Sequence, residues 1–468
     1  MVHTLGDERY GIWSLIVSFS GHYGLLAFGI NGAMTRYLAY SVAQQDHAGI
    51  QGYMNTSLFF LALAGLLCLT VGGGVAVLFP RIFVIPSTST IEAQTTCFIV
   101  AATMATTLVF AAFQSLLVAD QRFDIVNIIG IASTLVRAIL TVYLLMSGYG
   151  LVGLAYIGLI ITVLTGGVQF IIVRKLHPEL KISLRPAGKS YRKELLDYGS
   201  KSFTMNIAVS LVYECDLFVL GLYLSPDKIT TYSLASTLIM YFLQFINAIA
   251  YTFGPYATEL YARNTGKELR QFLIDGSCIM YMIGGLATAG CFVLSKAFFT
   301  LWVGISYVES AKILMLLIIP QFFATGARVG VAIVLGMAKV KIPAAIAIFE
   351  GVSNIILSLI LVRYYGVVGV AIGTVLPMLL TNAIIFPAYA AYSTNVKLYE
   401  FYLKSVLPGI LIIIAGVGVG QIISIVFPPV SWFSFVTNTL LISIVCLSLS
   451  YPILSRRTGN SLLRFSEL

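Results

Sequence analysis

Three arginines interrupt long apolar runs of the sequence: Arg36, Arg137 and Arg328. A charged side chain inside an apolar helix is costly, so it usually faces a cavity or a partner and serves a function. The guanidinium group offers a planar fork of donors that fits phosphate oxygens. We therefore predict that these arginines line a positive cavity suited to an anionic group such as a phosphate. For Arg36, extension of the side chain to the membrane surface is an equally good interpretation.

Four acidic residues are found in similarly apolar surroundings: Glu214, Asp216, Glu259 and Glu350. Burial raises the affinity of a carboxylate for a proton, so these residues are candidates for binding a coupling ion, either a proton or a sodium ion. The same carboxylates could instead form ion pairs that hold parts of the chain together. The candidate partners are Arg137, Arg328 and Lys201. The sequence leaves this choice open.

One of these acids belongs to a polar stripe. Glu350, Asn354 and Ser358 follow each other at intervals of four residues, and Glu214 ends a similar stripe. Residues at this spacing lie on one face of a helix. We predict that both faces contact water or another helix rather than lipid.

The elements that carry these residues are apolar from end to end. Of the 468 residues, 59% are hydrophobic and 10% are charged, with a mean hydropathy of +0.94, whereas soluble domains are about 25% charged. The fold class predicted is an all-α polytopic membrane protein, since a spanning helix needs roughly 20 apolar residues. Thirteen spans are predicted, at 10–40, 54–80, 92–118, 123–147, 150–174, 197–224, 227–262, 269–298, 310–336, 341–363, 367–392, 400–425 and 431–454.

Residue patterns typical of enzymes are missing from the sequence. It contains no nucleotide-binding loop, dinucleotide fingerprint or catalytic triad signature. The six cysteines and four histidines are scattered singly, which predicts neither a metal site nor a disulfide framework. We expect no cofactor, no metal and no enzymatic activity.

Basic residues orient the predicted helices. The segment 176–195 is rich in lysine and arginine, which places it in the cytoplasm together with the C-terminal tail. The net charge of +9 therefore reflects topology, and no nucleic-acid partner is expected. This orientation puts the N-terminus outside with an odd number of spans and no preceding signal. We expect that an initial helix is absent from the sequence as written.

A motif occurs twice. YGLVGLA (149–155) returns 216 residues later as YGVVGVA (365–371), and the similarity extends upstream. Two parallel repeats related by an axis along the membrane normal are a recurrent transporter plan. We predict two parallel six-helix repeats and two further C-terminal helices. The predicted divisions are an N-terminal half, a basic linker, a C-terminal half and a tail, at 1–175, 176–195, 196–392 and 393–468.

Four stretches together resemble one family of membrane proteins. They are LGDERYGIWSLIVSFSGHYGLLAFGINGAMTRYLA (5–39), DLFVLGLYLS (216–225), LGMAKVKIPAA (335–345) and EGVSNIILSLILVRYYGVVGVAIGTVLP (350–377). In order and spacing they resemble the oligosaccharide and polysaccharide flippases. That family belongs to the multidrug/oligosaccharidyl-lipid/polysaccharide (MOP) exporter superfamily, which includes MATE drug exporters and lipid II flippases.

The resemblance implies a MATE-like fold of fourteen helices, of which this sequence would lack the first. It also implies that undecaprenyl-diphosphate-linked oligosaccharide is flipped from the cytoplasmic to the outer leaflet of the inner membrane by alternating access. An ion gradient, of protons or sodium ions, would be coupled to the movement. The expected pathway is O-antigen, capsule or exopolysaccharide assembly, with membrane lipids and assembly enzymes as partners.

Two alternatives are weaker. A cation or drug antiporter of the same superfamily would favour an acidic cavity, whereas this chain offers arginines within its spans. A membrane polysaccharide polymerase or ligase would need reactive groups outside the membrane, but the predicted outer loops are short turns such as SGYG and RYYG.

Overall fold

The computed structural model describes residues 1–23, 27, 29–200, 215–263, 265–339 and 341–458. Within these residues the regular elements are helices, and no β-strand occurs. The chain divides into two compact units, Met1–Thr230 and Thr231–Leu468. The all-α fold class is therefore confirmed for the described part of the chain.

The first unit is assembled around α4. This helix packs against α3 and α6, and α2 lies across it. The helices are α1 (Val2–Tyr23), α2 (Ile30–Ala43), α3 (His47–Ile82), α4 (Thr90–Ala119), α5 (Phe123–Met146), α6 (Gly150–Leu176), α7 (helical over 189–200) and α8 (Cys215–Tyr223).

The second unit is assembled around α11, which packs against α12 and α16. Its helices, the first of which crosses the boundary between the units, are α9 (Pro226–Ala250), α10 (Phe253–Ala262), α11 (Gly266–Trp302), α12 (Val308–Gly336), α13 (Lys341–Leu379), α14 (Phe386–Ser393), α15 (Leu398–Phe401), α16 (Leu407–Val426) and α17 (Trp432–Thr458). Two π-helical turns, Leu380–Ile385 and Tyr402–Val406, interrupt the regular helix.

Glycines allow close approach between the helices of the second unit. A Cβ atom on Gly285 of α11 would lie 2.6 Å from the carbonyl oxygen of Gly409 on α16. On Gly326 of α12, a Cβ would lie about as close to the ring of Tyr281. Small residues at such crossings permit the dense packing that holds membrane helices together, because lipid supplies no hydrophobic drive between them.

Ten stretches of the described residues are long and apolar enough to cross a membrane. They match eleven of the thirteen predicted spans, because one stretch, Lys341–Ser393, contains both 341–363 and 367–392. The prediction 10–40 corresponds to α1 and α2, with several intervening residues outside the described ones. Half of the prediction 197–224, residues 201–214, lies outside the described residues.

The repeated Tyr-Gly motif forms a tight turn in both units. Gly150 has φ +61° and Gly366 has φ +57°, values that a side chain with a Cβ adopts with strain. Three residues later the chain passes so close to itself that a Cβ on Gly369 would lie 2.2 Å from the carbonyl oxygen of Leu361. A Cβ on Gly153 would lie 2.7 Å from the Cβ of Tyr149. The motif recurs because each helical hairpin needs glycine at the same two places.

The basic linker is attached to the first unit. The side chain of Asn55 on α3 donates to the carbonyl oxygen of Lys181 at 2.9 Å and accepts from the N–H of Ser183 at 3.0 Å. The hydroxyl of Thr56 accepts from the N–H of Ala187 at 3.0 Å. These bonds hold the segment 181–187 against the N-terminal part of α3. The segment is not helical, so the side chains of α3 satisfy hydrogen-bonding groups of its backbone.

Candidate functional site

Glu350 lies inside a helical hairpin. It is 7% exposed on the arm 341–365, and the chain reverses at Gly366 so that a returning arm, 367–393, packs alongside. One carboxylate oxygen accepts hydrogen bonds from the hydroxyl of Thr381 and from the side-chain amide of Asn382, the latter at 3.0 Å. A buried carboxylate is tolerated only with such donors. We call Glu350, Thr381 and Asn382 the polar centre.

The returning arm is distorted at the polar centre. Leu380–Ile385 forms a π-helical turn, and Pro377 just before it lacks an N–H for helical hydrogen bonding. The wider turn brings two consecutive side chains, Thr381 and Asn382, to the same carboxylate oxygen. Single π turns inside membrane or soluble helices are found frequently at functional sites.

The polar stripe continues from Glu350 along the hairpin. The hydroxyl of Ser358 donates to the side-chain oxygen of Asn354 at 3.0 Å, and the hydroxyl of Thr374 on the returning arm lies 3.4 Å from the same oxygen. The stripe therefore contacts another helix rather than lipid, as predicted. The equivalent stripe that ends at Glu214 lies outside the described residues.

Helix α12, which carries Arg328, runs beside the returning arm. The amide of Gln321 lies 4.0 Å from the sulfur of Met378, and further along a Cβ on Gly330 would lie 2.9 Å from the Cβ of Ala390. Arg328 lies between these contacts on α12 and is partly buried. The structure thus places two of the predicted site residues, Arg328 and Glu350, on helices that pack against each other.

Gln321 adds an acceptor to the same surroundings. Its side-chain oxygen is buried and has no hydrogen-bond partner among the described residues. Arg328 follows Gln321 by seven residues, and this spacing places both on one face of α12. The polar centre is therefore bordered by a face that carries one cation and one free acceptor.

Arg36 is exposed at the surface of the first unit. On α2 its guanidinium lies 4.8 Å from the ring centroid of Tyr198 and 5.9 Å from that of Tyr37. Tyr37 stacks on Tyr53, whose hydroxyl donates to Glu194 of the linker helix α7. These contacts give Arg36 a cation–π role beside the linker.

Arg137 lies on α5, the helix of the first unit without a single buried residue. Arg137 is itself exposed, and no hydrogen bond or ion pair joins it to another described residue. A free cation at mid-helix is costly in lipid. Its charge is therefore available to a ligand or an aqueous cavity.

The remaining acids have different surroundings. Glu259 is exposed on α10 and forms an ion pair with Arg263 at 2.6 Å, one turn along the same helix. Asp216 is buried on α8 in the first unit. Glu214 and Lys201 lie outside the described residues.

Sequence reasoning missed the neutral donors of the polar centre. Thr374 and Thr381 are seven residues apart, so a polar face on the returning arm was present in the sequence. In a regular helix Asn382 would lie off that face. The π turn brings its side chain to Glu350. Its role therefore depends on a distortion that periodicity does not predict.

The polar centre belongs to the second unit alone, although the hairpin motif occurs in both. The positions 216 residues before Glu350 and Arg328 are occupied by Thr134 and Ala112. A similar hairpin geometry is thus combined with a different polar content.

The chain matches a known protein family over more than half of its length. Residues 1–261, more than half of the sequence, match the family described as "Polysaccharide biosynthesis protein". The chain belongs to this family. The resemblance noted in the sequence is thereby confirmed.

Two relatives of this family member match over most of their length. The uncharacterized membrane protein EpsK of Bacillus subtilis is 21% identical over 95% of this chain and 88% of its own. A Shigella flexneri protein, named provisionally as an O-antigen transporter, is 25% identical over 80% of this chain and 87% of its own.

Solved structures show the fold of this family member. The lipid II flippase MurJ in an inward closed conformation has a TM-score of 0.74 at 16% identity, covering 96% of this chain and 93% of that chain. An inward-facing multidrug MATE transporter of the MOP superfamily has a TM-score of 0.71 at 16% identity, covering 84% and 92%. The protein is therefore a multi-pass membrane protein with a MurJ- and MATE-like transporter fold.

Proposed function

We propose that the protein flips lipid-linked oligosaccharide, carried on undecaprenyl diphosphate, from the cytoplasmic to the outer leaflet by alternating access. The polysaccharide biosynthesis family and the MurJ-like fold support this proposal. The product would serve O-antigen, capsule or exopolysaccharide assembly in the inner membrane, where assembly enzymes are the expected partners. The basic linker and the C-terminal tail would face the cytoplasm.

One observation carries the choice of an anionic substrate. Arg328 is partly buried within α12, and no ion pair joins it to another described residue. A diphosphate headgroup cannot enter an apolar path without compensating charge. Arginine supplies that charge with a donor fork that matches phosphate oxygens.

Arg137 provides a second intramembrane cation in the first unit. Its lack of a partner among the described residues supports the same role. Ion coupling is proposed for the second unit, where the buried Glu350 is a carboxylate that can exchange a proton or bind a sodium ion.

The test is transport in proteoliposomes. The protein would be reconstituted with polyprenyl-diphosphate oligosaccharide, whose arrival in the opposite leaflet is followed under proton or sodium gradients. We expect Arg137→Gln and Arg328→Gln each to slow transport about 10-fold or more, because each removes a charge-assisted bond worth about 1.5–3 kcal/mol.

The matched control is Arg81→Gln, an exposed arginine at the end of α3, which should transport at the normal rate. Absence of transport under every gradient would refute the proposal. Efflux of cationic dyes by the same proteoliposomes, without lipid movement, would instead favour the antiporter function of the MATE transporters that share the fold.

A further inference from the structure

We propose that a cavity at one end of the second unit binds the phosphate of an anionic membrane phospholipid such as phosphatidylglycerol. The cavity has a volume of about 160 Å³, roughly ten times the 10–15 Å³ that one water molecule needs. It shares no lining residue with the polar centre, so the inference goes beyond the proposed function. We call it the end cavity.

The end cavity lies where four candidate membrane spans meet one membrane surface. They are Pro226–Ala262, Gly266–Trp302, Ile305–Gly336 and Lys341–Ser393. The second span begins at the cavity and the others end there, since no lining residue is more than four positions from one of these ends. Spanning helices end at the level of the lipid headgroups. This position favours the phosphate of a membrane lipid over a soluble anion.

Arg270 supplies the cation of the end cavity. Its Nε donates to the carbonyl oxygen of Thr394 at 3.0 Å, and both residues line the cavity. This bond fixes the guanidinium beside the cavity. Among the described residues, no other group accepts a hydrogen bond from Arg270. The two terminal nitrogens thus remain for a ligand, and their fork fits two oxygens of a phosphate.

Other donors line the same cavity. The hydroxyl of Ser393 is buried and has no hydrogen-bond partner among the described residues, so a phosphate oxygen would give it an acceptor. Asn395 adds an exposed side-chain amide. Gly266 is the first residue of the 37-residue helix α11, and the N-terminal N–H groups of a helix carry a partial positive charge.

Backbone acceptors at the end cavity are already occupied. The carbonyl oxygen of Leu260, near the end of α10, accepts from the N–H and the hydroxyl of Thr265. The carbonyl oxygen of Ala390 on α14 accepts from the same two groups of Thr394. These C-terminal carbonyl groups are therefore not free to bind a cation, and the groups that remain are donors.

The charges around the end cavity also favour an anion. Exposed basic residues lie at the same helix ends: Arg263, Lys267, Lys339, Lys341 and Lys397. Glu259 pairs with Arg263 at 2.6 Å and Glu400 pairs with Lys404 at 2.5 Å, so each of these acids is compensated on its own segment. Glu268 is exposed in the first turn of α11. Basic pockets between the ends of membrane helices bind anionic headgroups.

The experiment measures lipid binding by the full chain in detergent. Delipidated protein is titrated with phosphatidylglycerol, and native mass spectrometry determines the affinity for the first lipid bound. Phosphatidylcholine with the same acyl chains has the same phosphate but no net charge, and we expect it to bind about 10-fold more weakly. Inorganic phosphate and a short-chain polyprenyl-diphosphate sugar are competitors, and neither should displace phosphatidylglycerol at an equal concentration.

Two substitutions of Gly266 isolate the charge. A Cβ on Gly266 would meet no atom within 4 Å, and an acidic residue in the first turn of a helix is favourable. Gly266→Asp should therefore keep or raise the melting temperature. The new carboxylate should nevertheless weaken phosphatidylglycerol binding about 10-fold relative to Gly266→Asn, a neutral side chain of the same shape.

Further variants test the donors. Arg270→Gln should weaken phosphatidylglycerol binding about 10-fold or more, and Arg270→Lys should weaken it less. Ser393→Ala should lower the affinity about 3-fold without lowering the melting temperature, because the hydroxyl has no partner to lose among the described residues. The matched control is Lys296→Gln, an exposed cation near the opposite end of α11, which should bind as the unmodified protein does.

The outcomes separate this inference from the proposed function. Equal affinities of Gly266→Asp and Gly266→Asn, with normal elution of both in size-exclusion chromatography, overturn the inference. Equal binding of phosphatidylglycerol and phosphatidylcholine overturns it as well. Displacement of phosphatidylglycerol by either competitor at an equal concentration would assign the end cavity to a different phosphate compound. The proposed function is judged by lipid movement in proteoliposomes, which none of these measurements involves.

Discussion

Charged side chains in this protein are stabilised in several different ways. Glu350 is buried and accepts hydrogen bonds from neutral donors, whereas Glu259 pairs with Arg263 at an exposed position. Arg36 packs on aromatic rings. Exposed ion pairs are typically worth under about 1 kcal/mol, while removal of a donor from a buried carboxylate costs more. Substitutions at the polar centre should therefore have the larger effects.

A fourth arrangement, at the start of the linker, makes stability depend on pH. His177 and Asp120 approach to 2.8 Å with their side chains each 13% exposed. The hydrogen bond with Asp120 raises the pKa of His177 above its ordinary value. The stabilisation by charged histidine is therefore complete below about pH 6.5 and is lost as the pH rises through the raised value.

We predict that His177→Gln lowers stability by about 1 kcal/mol at pH 6 and by less at pH 9. Thermal unfolding of the detergent-solubilised protein at both pH values measures this. The control is His47→Gln. His47 also lies close to a carboxylate, that of Glu179 at 3.3 Å, but its side chain is 70% exposed. Its substitution should therefore change stability less. A loss of stability that is equal at both pH values, or larger at pH 9, would contradict the assigned ion pair.

At the scale of the elements, glycines and π turns determine where helices reverse and where side chains converge. Gly366 joins two arms that sequence hydropathy reads as separate spans, and its φ of 57° and ψ of −132° require a residue without a Cβ. The π turn then rotates Asn382 towards Glu350. Both features position the polar centre without contributing a charge.

Gly366→Ala should lower stability by about 1–3 kcal/mol, the cost of holding an alanine in this backbone region. Because the two arms then meet less well, substrate binding should weaken together with stability. Thermal unfolding measures the stability, and calorimetry with a short-chain polyprenyl-diphosphate sugar measures binding on the same sample. Gly418→Ala is the control, since Gly418 is helical and a Cβ there would meet open space. Equal melting temperatures for the two variants would show that the turn tolerates a side chain.

At the scale of the whole molecule, the two units carry the same hairpin motif with different chemistry. Glu350 and Arg328 belong to the second unit, whereas the basic linker is bound to α3 in the first. If the repeat reflects duplication, as we propose, the two copies of a common plan have diverged at the positions of Glu350 and Arg328. The divisions at 1–175, 196–392 and 393–468 remain part of that proposal.

The proposed orientation predicts which loops face the cytoplasm. A cysteine at Lys189, which is exposed in the linker helix, should react with an impermeant maleimide only after the cytoplasmic side is opened. A cysteine at Ile305, which is 78% exposed in the turn between α11 and α12, should react in intact cells. The background is a variant without native cysteines. The reverse pattern of labelling would invert the topology.

The sequence by itself determined the fold class, most of the spans and the repeat. These depend on hydropathy and on glycine, which act locally and can be read along the chain. It also predicted that Glu350, Asn354 and Ser358 share a face against another helix, because helical periodicity is a local property.

The tertiary structure alone decided which polar groups meet. Helix α12, which carries Arg328, packs against the hairpin that carries Glu350, and Asn382 reaches the carboxylate at the π turn. Glu259 pairs with Arg263 on its own helix. Contacts between residues distant in sequence depend on how helices cross and turn, and a single sequence carries no local signal for either.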